Sequence, residues 1–139
     1  MEKIRMVLDG WASPPVRAHK NDAGMDLQAR NGGWIFPFSR RAFDTGVHVA
    51  IPEGYVGLLT SKSGLMLKKG ITSRGTIDSG YTGTIKAVLF NHSWRFVKIE
   101  PHQKITQLVI IPCALPNAEI VGTLEDTERG DGGFGSTGR

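Results

Sequence analysis

Residues 47–59 read Val47-His48-Val49-Ala50-Ile51-Pro52-Glu53-Gly54-Tyr55-Val56-Gly57-Leu58-Leu59. Val47, Val49 and Ile51 fall on one side of an extended chain and His48 and Ala50 on the other, the period of a half-buried strand. Pro52-Glu53-Gly54 is turn chemistry. Tyr55 to Leu59 then reads as the returning strand of a hairpin. The same grammar continues outward. In Thr84 to Asn91, Ile85, Ala87 and Leu89 point one way and Lys86, Val88 and Phe90 the other. Phe96 to Ile99 is a short strand closed by a Glu100-Pro101-His102-Gln103 turn. Ile105 to Ile111 is an apolar, β-branched run that predicts a central strand buried on both faces. No segment repeats apolar residues at helical spacing for three turns. Only Ser63 to Lys69 reads as a helix, with Ser63 placed to cap it. Many short strands divided by scattered glycine and proline predict an all-β sandwich, barrel or jelly roll with one short helix.

The chain has 139 residues, which suits one domain around one core. A core unit over 1–124 and a separate arm over 125–139 are expected, because composition changes at Glu125-Asp126-Thr127-Glu128. No apolar run is long enough to span a bilayer, and the first residues lack the layout of a signal peptide. The single cysteine, Cys113, excludes an internal disulfide framework and suits a reducing, cytoplasmic setting. The net charge of +4 is spread along the chain, with Arg40-Arg41 and Lys68-Lys69 the only adjacent basic pairs. That distribution predicts no stable nucleic-acid binding and no membrane partner. It suits an anionic small substrate. His19, His48, His92 and His102 have no metal-ligand spacing. Trp11, Trp34 and Trp94 read as packing or subunit-contact residues.

Five stretches carry candidate chemistry. Arg129-Gly130-Asp131-Gly132-Gly133-Phe134-Gly135-Ser136-Thr137-Gly138 combines glycines, whose N–H groups can approach phosphate oxygens, with a guanidinium, two hydroxyls and one ring able to stack on a base. It contains no P-loop pattern. In Gly75-Thr76-Ile77-Asp78-Ser79-Gly80-Tyr81-Thr82-Gly83, Asp78 sits in a Gly-bounded turn, where a carboxylate can take a proton from water; Tyr81 can pack on a sugar. Ser61-Lys62-Ser63-Gly64-Leu65 opens the helix and offers free N–H groups beside a cation. Asp26, in Asp22-Ala23-Gly24-Met25-Asp26-Leu27, can hold a hydrated Mg²⁺. Gln107, in Lys104-Ile105-Thr106-Gln107-Leu108, is an amide inside an apolar strand and needs partners.

Taken in chain order, the five stretches resemble the motifs of the trimeric dUTPase family, over Asp22 to Gly138, and the C-terminal one, Arg129 to Gly138, is close to that family's RGxGGFGSTG. The resemblance implies a jelly-roll-like distorted barrel with a flexible Gly-rich C-terminal arm. It implies a homotrimer with shared active sites, and Mg²⁺-dependent hydrolysis of dUTP to dUMP and pyrophosphate. That reaction limits uracil in DNA and supplies dUMP for thymidylate synthesis. By position, Asp78 would activate the attacking water and Gln107 would help to fix it. Asp26 would orient a water on Mg²⁺. Lys62, Ser63 and Gly64 would contact phosphates, and the backbone of Ser73, Arg74, Gly75 and Ile77 would read uracil. Tyr81 would pack on deoxyribose. Arg129 would hold the γ-phosphate and Phe134 stack on the base, with Gly135, Ser136 and Thr137 gripping the terminal phosphates. The chain departs from the family pattern at Met25, Lys62, Met66, Arg74 and Gly80. A dCTP deaminase on the same fold is the competing enzyme, and its acid–base set is not found here; a regulatory, protein-binding role is a third reading.

Overall fold

A computed structural model describes residues 3–138. Ten strands and one helix follow in chain order: β1 (Met6–Leu8), β2 (Gly24–Gln28), β3 (Gly33–Ile35), β4 (Arg40–Asp44), β5 (Val47–Val49), β6 (Tyr55–Thr60), α1 (Ser63–Lys69), β7 (Ile71–Ile77), β8 (Lys86–Asn91), β9 (Val97–Ile99) and β10 (Lys104–Pro112). Six strands form one antiparallel sheet in the order β2-β10-β6-β7-β8-β4, and two ribbons, β1-β5 and β3-β9, complete the barrel-like wrap. Neighbours so distant in sequence as β2 and β10 are what a jelly roll requires. The fold is all-β, as the sequence predicts.

Alternating side chains fill two adjoining core clusters. One gathers Ile35, Phe43, Ile71, Leu89, Val97, Ile99 and Ile105; the other gathers Leu27, Val47, Val49, Ile51, Leu59, Ile77, Ile85 and Leu108. Gly57 lies under Leu108, where an added Cβ would come within 3.0 Å of that side chain.

Three expectations are corrected. Residues 47–59 are not a hairpin. The Pro52–Gly54 turn forms, with the Tyr55 N–H donating to Pro52 O at 3.2 Å. However, β5 pairs with β1, and β6 pairs with β10 and β7. The turn is a corner that carries the chain from one sheet to another. Both flanking strands still point into the same cluster, so alternation identifies the buried face and not the strand partner. Ser63 is not the helix cap: Lys62 occupies that position with extended backbone, and no side chain caps the first turn. At the other end Gly70, in the left-handed region at φ 67°, closes the helix onto Leu65 and Met66 carbonyls. In β10, Ile105, Thr106 and Leu108 are fully buried, Val109 and Ile110 are half-buried, and Ile111 and Pro112 are exposed, so the strand is not buried on both faces to its end. Trp11, Trp34 and Trp94 lie outside both core clusters and are exposed, where a subunit contact would place them.

Residues 113–138 contain no helix or strand and lie on the outside. Among the described residues no helix is long and apolar enough to cross a membrane. Truncating the fully buried Leu108 to Ala is expected to cost about 2–5 kcal/mol. At fixed protein concentration this reads as a lower urea midpoint with an unchanged slope.

Candidate active site

The register of β10 assembles the first group of candidate residues. Gln107 stands opposite Asp26 of β2 on one edge and Thr60 of β6 on the other. The chain leaves β6 at Thr60 and runs directly into Ser61, Lys62 and Ser63, so three distant stretches meet on one rung. Gln107 lies over Gly24, where an added Cβ would fall 2.4 Å from its Oε1. Its Nε2 donates to the Ser61 carbonyl at 3.1 Å, which answers the need for a partner. Asp26 is buried, with Lys62 on one carboxylate oxygen and Lys104 on the other at 3.5 Å. A cleft of about 350 Å³ opens here, lined by Asp22, Gly24, Asp26, Lys62, Ser63 and Gln107 among others. His19 donates its backbone N–H to the Asp22 carboxylate at 2.8 Å, and that bond is the main reason this acid is held below the usual carboxylate range.

Hydroxyl groups fasten this cleft to β7. Ser61 Oγ accepts from the Ser73 N–H at 2.9 Å and donates to the Ser73 carbonyl at 3.1 Å. Ser73 Oγ donates to Thr106 Oγ1 at 2.8 Å, and Thr106 Oγ1 donates to the Thr60 carbonyl at 3.0 Å. Ser73 therefore commits its backbone groups to Ser61. Beyond it β7 and β8 part: their pairing runs only from Ile71 to Ser73, while β6 covers the other edge of Arg74 to Ile77. Within the splayed hairpin lies a second cleft of about 290 Å³, lined by Thr76, Ile77, Asp78, Tyr81, Thr84 and Lys86. Asp78 is exposed at its mouth. The Tyr81 ring lies over Gly83, where an added Cβ would come within 2.5 Å of its hydroxyl, and that hydroxyl donates to the Thr84 carbonyl at 2.9 Å.

The loop that carries Asp78 and Tyr81 is stapled at three points. Ser79 Oγ donates to the Ile51 carbonyl at 3.0 Å. His48 Nδ1 lies 2.8 Å from the Thr82 carbonyl, while its Nε2 lies 3.0 Å from Asp9 Oδ1. Thr84 Oγ1 donates to Asp44 Oδ1 at 2.6 Å. Both ring nitrogens of His48 thus face acceptors. The Thr82 carbonyl, then Asp9, raise its pKa above the ordinary value of 6.5. Burial pushes the Asp44 carboxyl up, but the Thr84 hydroxyl, the Gly46 N–H and Arg30 together outweigh it and hold the group low. His48, Asp9, Asp44, Thr84 and Lys86 escaped the sequence reading. Nothing in an alternating strand singles out His48, and the others act through contacts that only the fold creates.

The two clefts have no lining residue in common. The arm residues line neither of them. Arg129 Nε donates to the Gly132 carbonyl at 2.7 Å, the Ser136 N–H donates to the Gly133 carbonyl at 3.0 Å, and the Phe134 ring is fully exposed.

The chain matches the family model described as dUTPase over residues 11–138. It is 41% identical over 140 residues to the deoxyuridine 5'-triphosphate nucleotidohydrolase of Clostridium tetani, covering 99% of this chain and 96% of that one. It is 44% identical over 128 residues to the enzyme of the same name from Cutibacterium acnes, covering 89% and 84%. The Staphylococcus bacteriophage 80alpha dUTPase with dUPNHPP superposes at a TM-score of 0.94, with 32% identity and full coverage of both chains. A mutant dUTPase from phage phi11 of S. aureus superposes at 0.83 with 30% identity, covering 89% and 99%; its structure is described as revealing the coordination of a structural Mg(II) ion.

Because His48 has its pKa raised in the folded state, its tether contributes fully below the unfolded value and is lost as pH rises through the folded one. Tm is therefore expected to fall as pH rises above the ordinary histidine value of 6.5. His48→Gln should remove that part of the slope. An unchanged slope in the variant, followed by calorimetry, rules the tether out.

Proposed function

The chain belongs to the dUTPase family, and from that premise we propose that it hydrolyses dUTP to dUMP and pyrophosphate at sites completed by neighbouring copies. The observation that carries the shared site is the separation of the two clefts: Asp26, Lys62, Ser63 and Gln107 line one, Asp78 and Tyr81 line the other. A reaction that needs both sets must bring the second cleft of one copy against the first cleft of another. A closed ring of head-to-tail copies satisfies this for every site, which supports the homotrimer.

Roles follow from what each group can reach. The unpaired edge from Arg74 to Ile77 presents backbone donors and acceptors to a flat base, and Ser73 anchors that edge through Ser61. Tyr81, propped on Thr84, offers a ring to the sugar. Asp78 takes the proton from the attacking water as it adds to the α-phosphorus. Gln107 fixes that water. Lys62 and the first-turn N–H groups of Ser63 and Gly64, which have no side-chain cap, bind phosphate oxygens. Lys86, in the second cleft, adds positive charge where the triphosphate enters. The arm closes over the assembled site, with Arg129 on the γ-phosphate, Phe134 on the base, and Gly135, Ser136 and Thr137 on the terminal phosphates. Closure excludes water and completes the constellation.

Among the described residues no cluster of three or more His, Cys, Asp or Glu is set to hold a metal. The buried Asp26 is a hard-oxygen group already facing two ammonium ions. That donor set fits an ion carried by phosphates and touched by protein through water, which is how Mg²⁺ is usually held. When bound, Mg²⁺ neutralises charge on the departing pyrophosphate. Catalysis then rests on position and fixed charge rather than on a covalent intermediate.

In a pyrophosphate-release assay, Asp78→Asn is expected to lose about 10²–10⁴ in kcat while still binding dUTP. Normal turnover would remove Asp78 from its role, and ammonia release from dCTP would indicate the deaminase instead. Mixing inactive Asp78→Asn with inactive Gln107→Ala under subunit exchange should restore about a quarter of wild-type activity if each site joins two copies. No recovery means the site lies within one chain. Removing residues 129–139 should lower kcat/KM at least about tenfold.

A further inference from the structure

The β3-β9 ribbon carries a feature the reaction does not use. Trp34 pairs with Lys98 and Ile35 with Val97. Ile35, Val97 and Ile99 turn inward, so Trp34, Phe36, Phe96 and Lys98 share the outer face. The ribbon ends in two loops whose side chains extend the same ladder. Lys98 lies 5.8 Å from the Trp34 ring centroid, Phe36 and Phe96 pack edge to face at 5.3 Å, and Phe38 and Trp94 do so at 4.6 Å and 90°. Three rungs result, at 34/98, 36/96 and 38/94. Only the 34/98 rung lies within the paired strands; the other two are carried by the flanking loops. All five aromatic residues are exposed; Trp94 is 84% accessible.

The ladder is built rather than loose. Buried Asn91 ties the two loops together: its Nδ2 donates to the Ile35, Phe36 and Arg95 carbonyls at 3.2, 3.2 and 2.7 Å, and its Oδ1 accepts from the Ser93 N–H at 2.9 Å and the Ser93 hydroxyl at 2.7 Å. Phe38 sits at φ 52°, a left-handed backbone that a bulky side chain rarely adopts, and glycine would be easier there. The strain is tolerated with the ring held outward on Trp94, the kind of local cost found at working surfaces.

Its charge is one-sided. Neither 30–43 nor 86–99 contains an acidic residue. Arg41 lies across Gly33, which has no Cβ to obstruct it, and donates to the Trp34 carbonyl at 3.1 Å. Among the described residues Arg40, Arg41 and Arg95 form no ion pair, while Lys98 lies 3.5 Å from Glu100. A cleft of about 270 Å³ between Trp34, Phe36 and the Arg40-Arg41 pair borders it.

We propose that this ladder is a docking platform for single-stranded nucleic acid, with bases stacking on the exposed rings and backbone phosphates on Arg40, Arg41 and Arg95. Rings on adjacent strands flanked by guanidinium groups recur where sheets bind unpaired bases. An acidic protein segment would satisfy the cations, but it has no use for five exposed aromatic rings gathered beside them. The inference stands apart from the hydrolytic reading, since no platform residue is assigned to either cleft's chemistry.

The test is fluorescence anisotropy of the full-length protein with labelled oligodeoxythymidylate, repeated with duplex DNA, while tryptophan emission is followed. Saturable binding that prefers the single strand and quenches emission is expected. Trp94→Ala and Phe38→Gly should each weaken it about tenfold or more, and Arg40→Ala with Arg41→Ala should flatten the salt dependence of log Kd by about 1–2. Retained dUTP hydrolysis by each variant shows that it is folded. Absence of saturation at low salt, equal binding of duplex, or binding indifferent to the aromatic substitutions overturns the proposal. So does a smaller assembly for Trp94→Ala by analytical ultracentrifugation, which would make the ladder a contact between copies.

Discussion

The pairing of β10 on both edges is the constraint from which the candidate site follows. Asp26, Gln107 and Thr60 share one rung because the strand is fixed against β2 and β6 at once. A slip of one residue would turn Gln107 inward and Leu108 outward, exchanging a buried apolar side chain for an amide. Core burial of Ile105, Thr106 and Leu108 therefore enforces the position of Gln107. Gly24 completes the arrangement, since its missing Cβ is the space that Gln107 occupies. Packing energy spent on the barrel is what holds the polar groups in place, and the site needs no rigidity of its own.

The second cleft is held differently. Asp78 and Tyr81 lie on a loop that leaves the sheet, so pairing cannot position them. Polar staples do so instead, from Ser79, Thr82 and Thr84 to groups on Ile51, His48 and Asp44. Arg30 lies 3.5 Å from Asp44 and 3.7 Å from Asp9, so the anchors of two staples form one charged cluster. Directional bonds can position a loop without burying it, which leaves Asp78 open to water and to a neighbouring copy.

Much of this was legible in the residues. Strand faces followed from period-two alternation, and the helix over Ser63 to Lys69 was read to its ends. The identity of strand partners was not legible, because alternation reports which side is buried and carries no record of the opposite strand. That is why residues 47–59 read as a hairpin when they turn a corner. Candidate side chains were readable from type and local setting, as with Asp78 among glycines. The residues that support them were not: His48 and Asp44 meet the loop only after the chain has folded. The arrangement of the tryptophans was hidden for the same reason. Trp34 with Phe36 and Phe38, and Trp94 with Phe96, sit at every second position in the sequence, but only the β3-β9 register turns two unremarked alternations into one ladder.

That ladder also revises what the charge distribution means. Spread along the chain, a net charge of +4 carries no stripe. Folding brings Arg40 and Arg41 beside the loop that bears Arg95 and the strand that bears Lys98, where only Lys98 is seen paired with an acid, Glu100, among the described residues. A local field depends on spatial and not sequential neighbours, so a basic surface can be assembled from segments that are each unexceptional. The same reasoning separates the two basic surfaces. At the first cleft, Asp26 offsets Lys62 and Lys104, which moderates attraction until phosphate competes for the lysines. Around the ladder the arginines have no such counter-charge among the described residues, and the aromatic rings lower the dielectric beside them. Under the proposed roles, phosphate at the cleft competes with Asp26 for its lysines, whereas the unpaired arginines of the open face would attract anions with a pull that falls as salt rises.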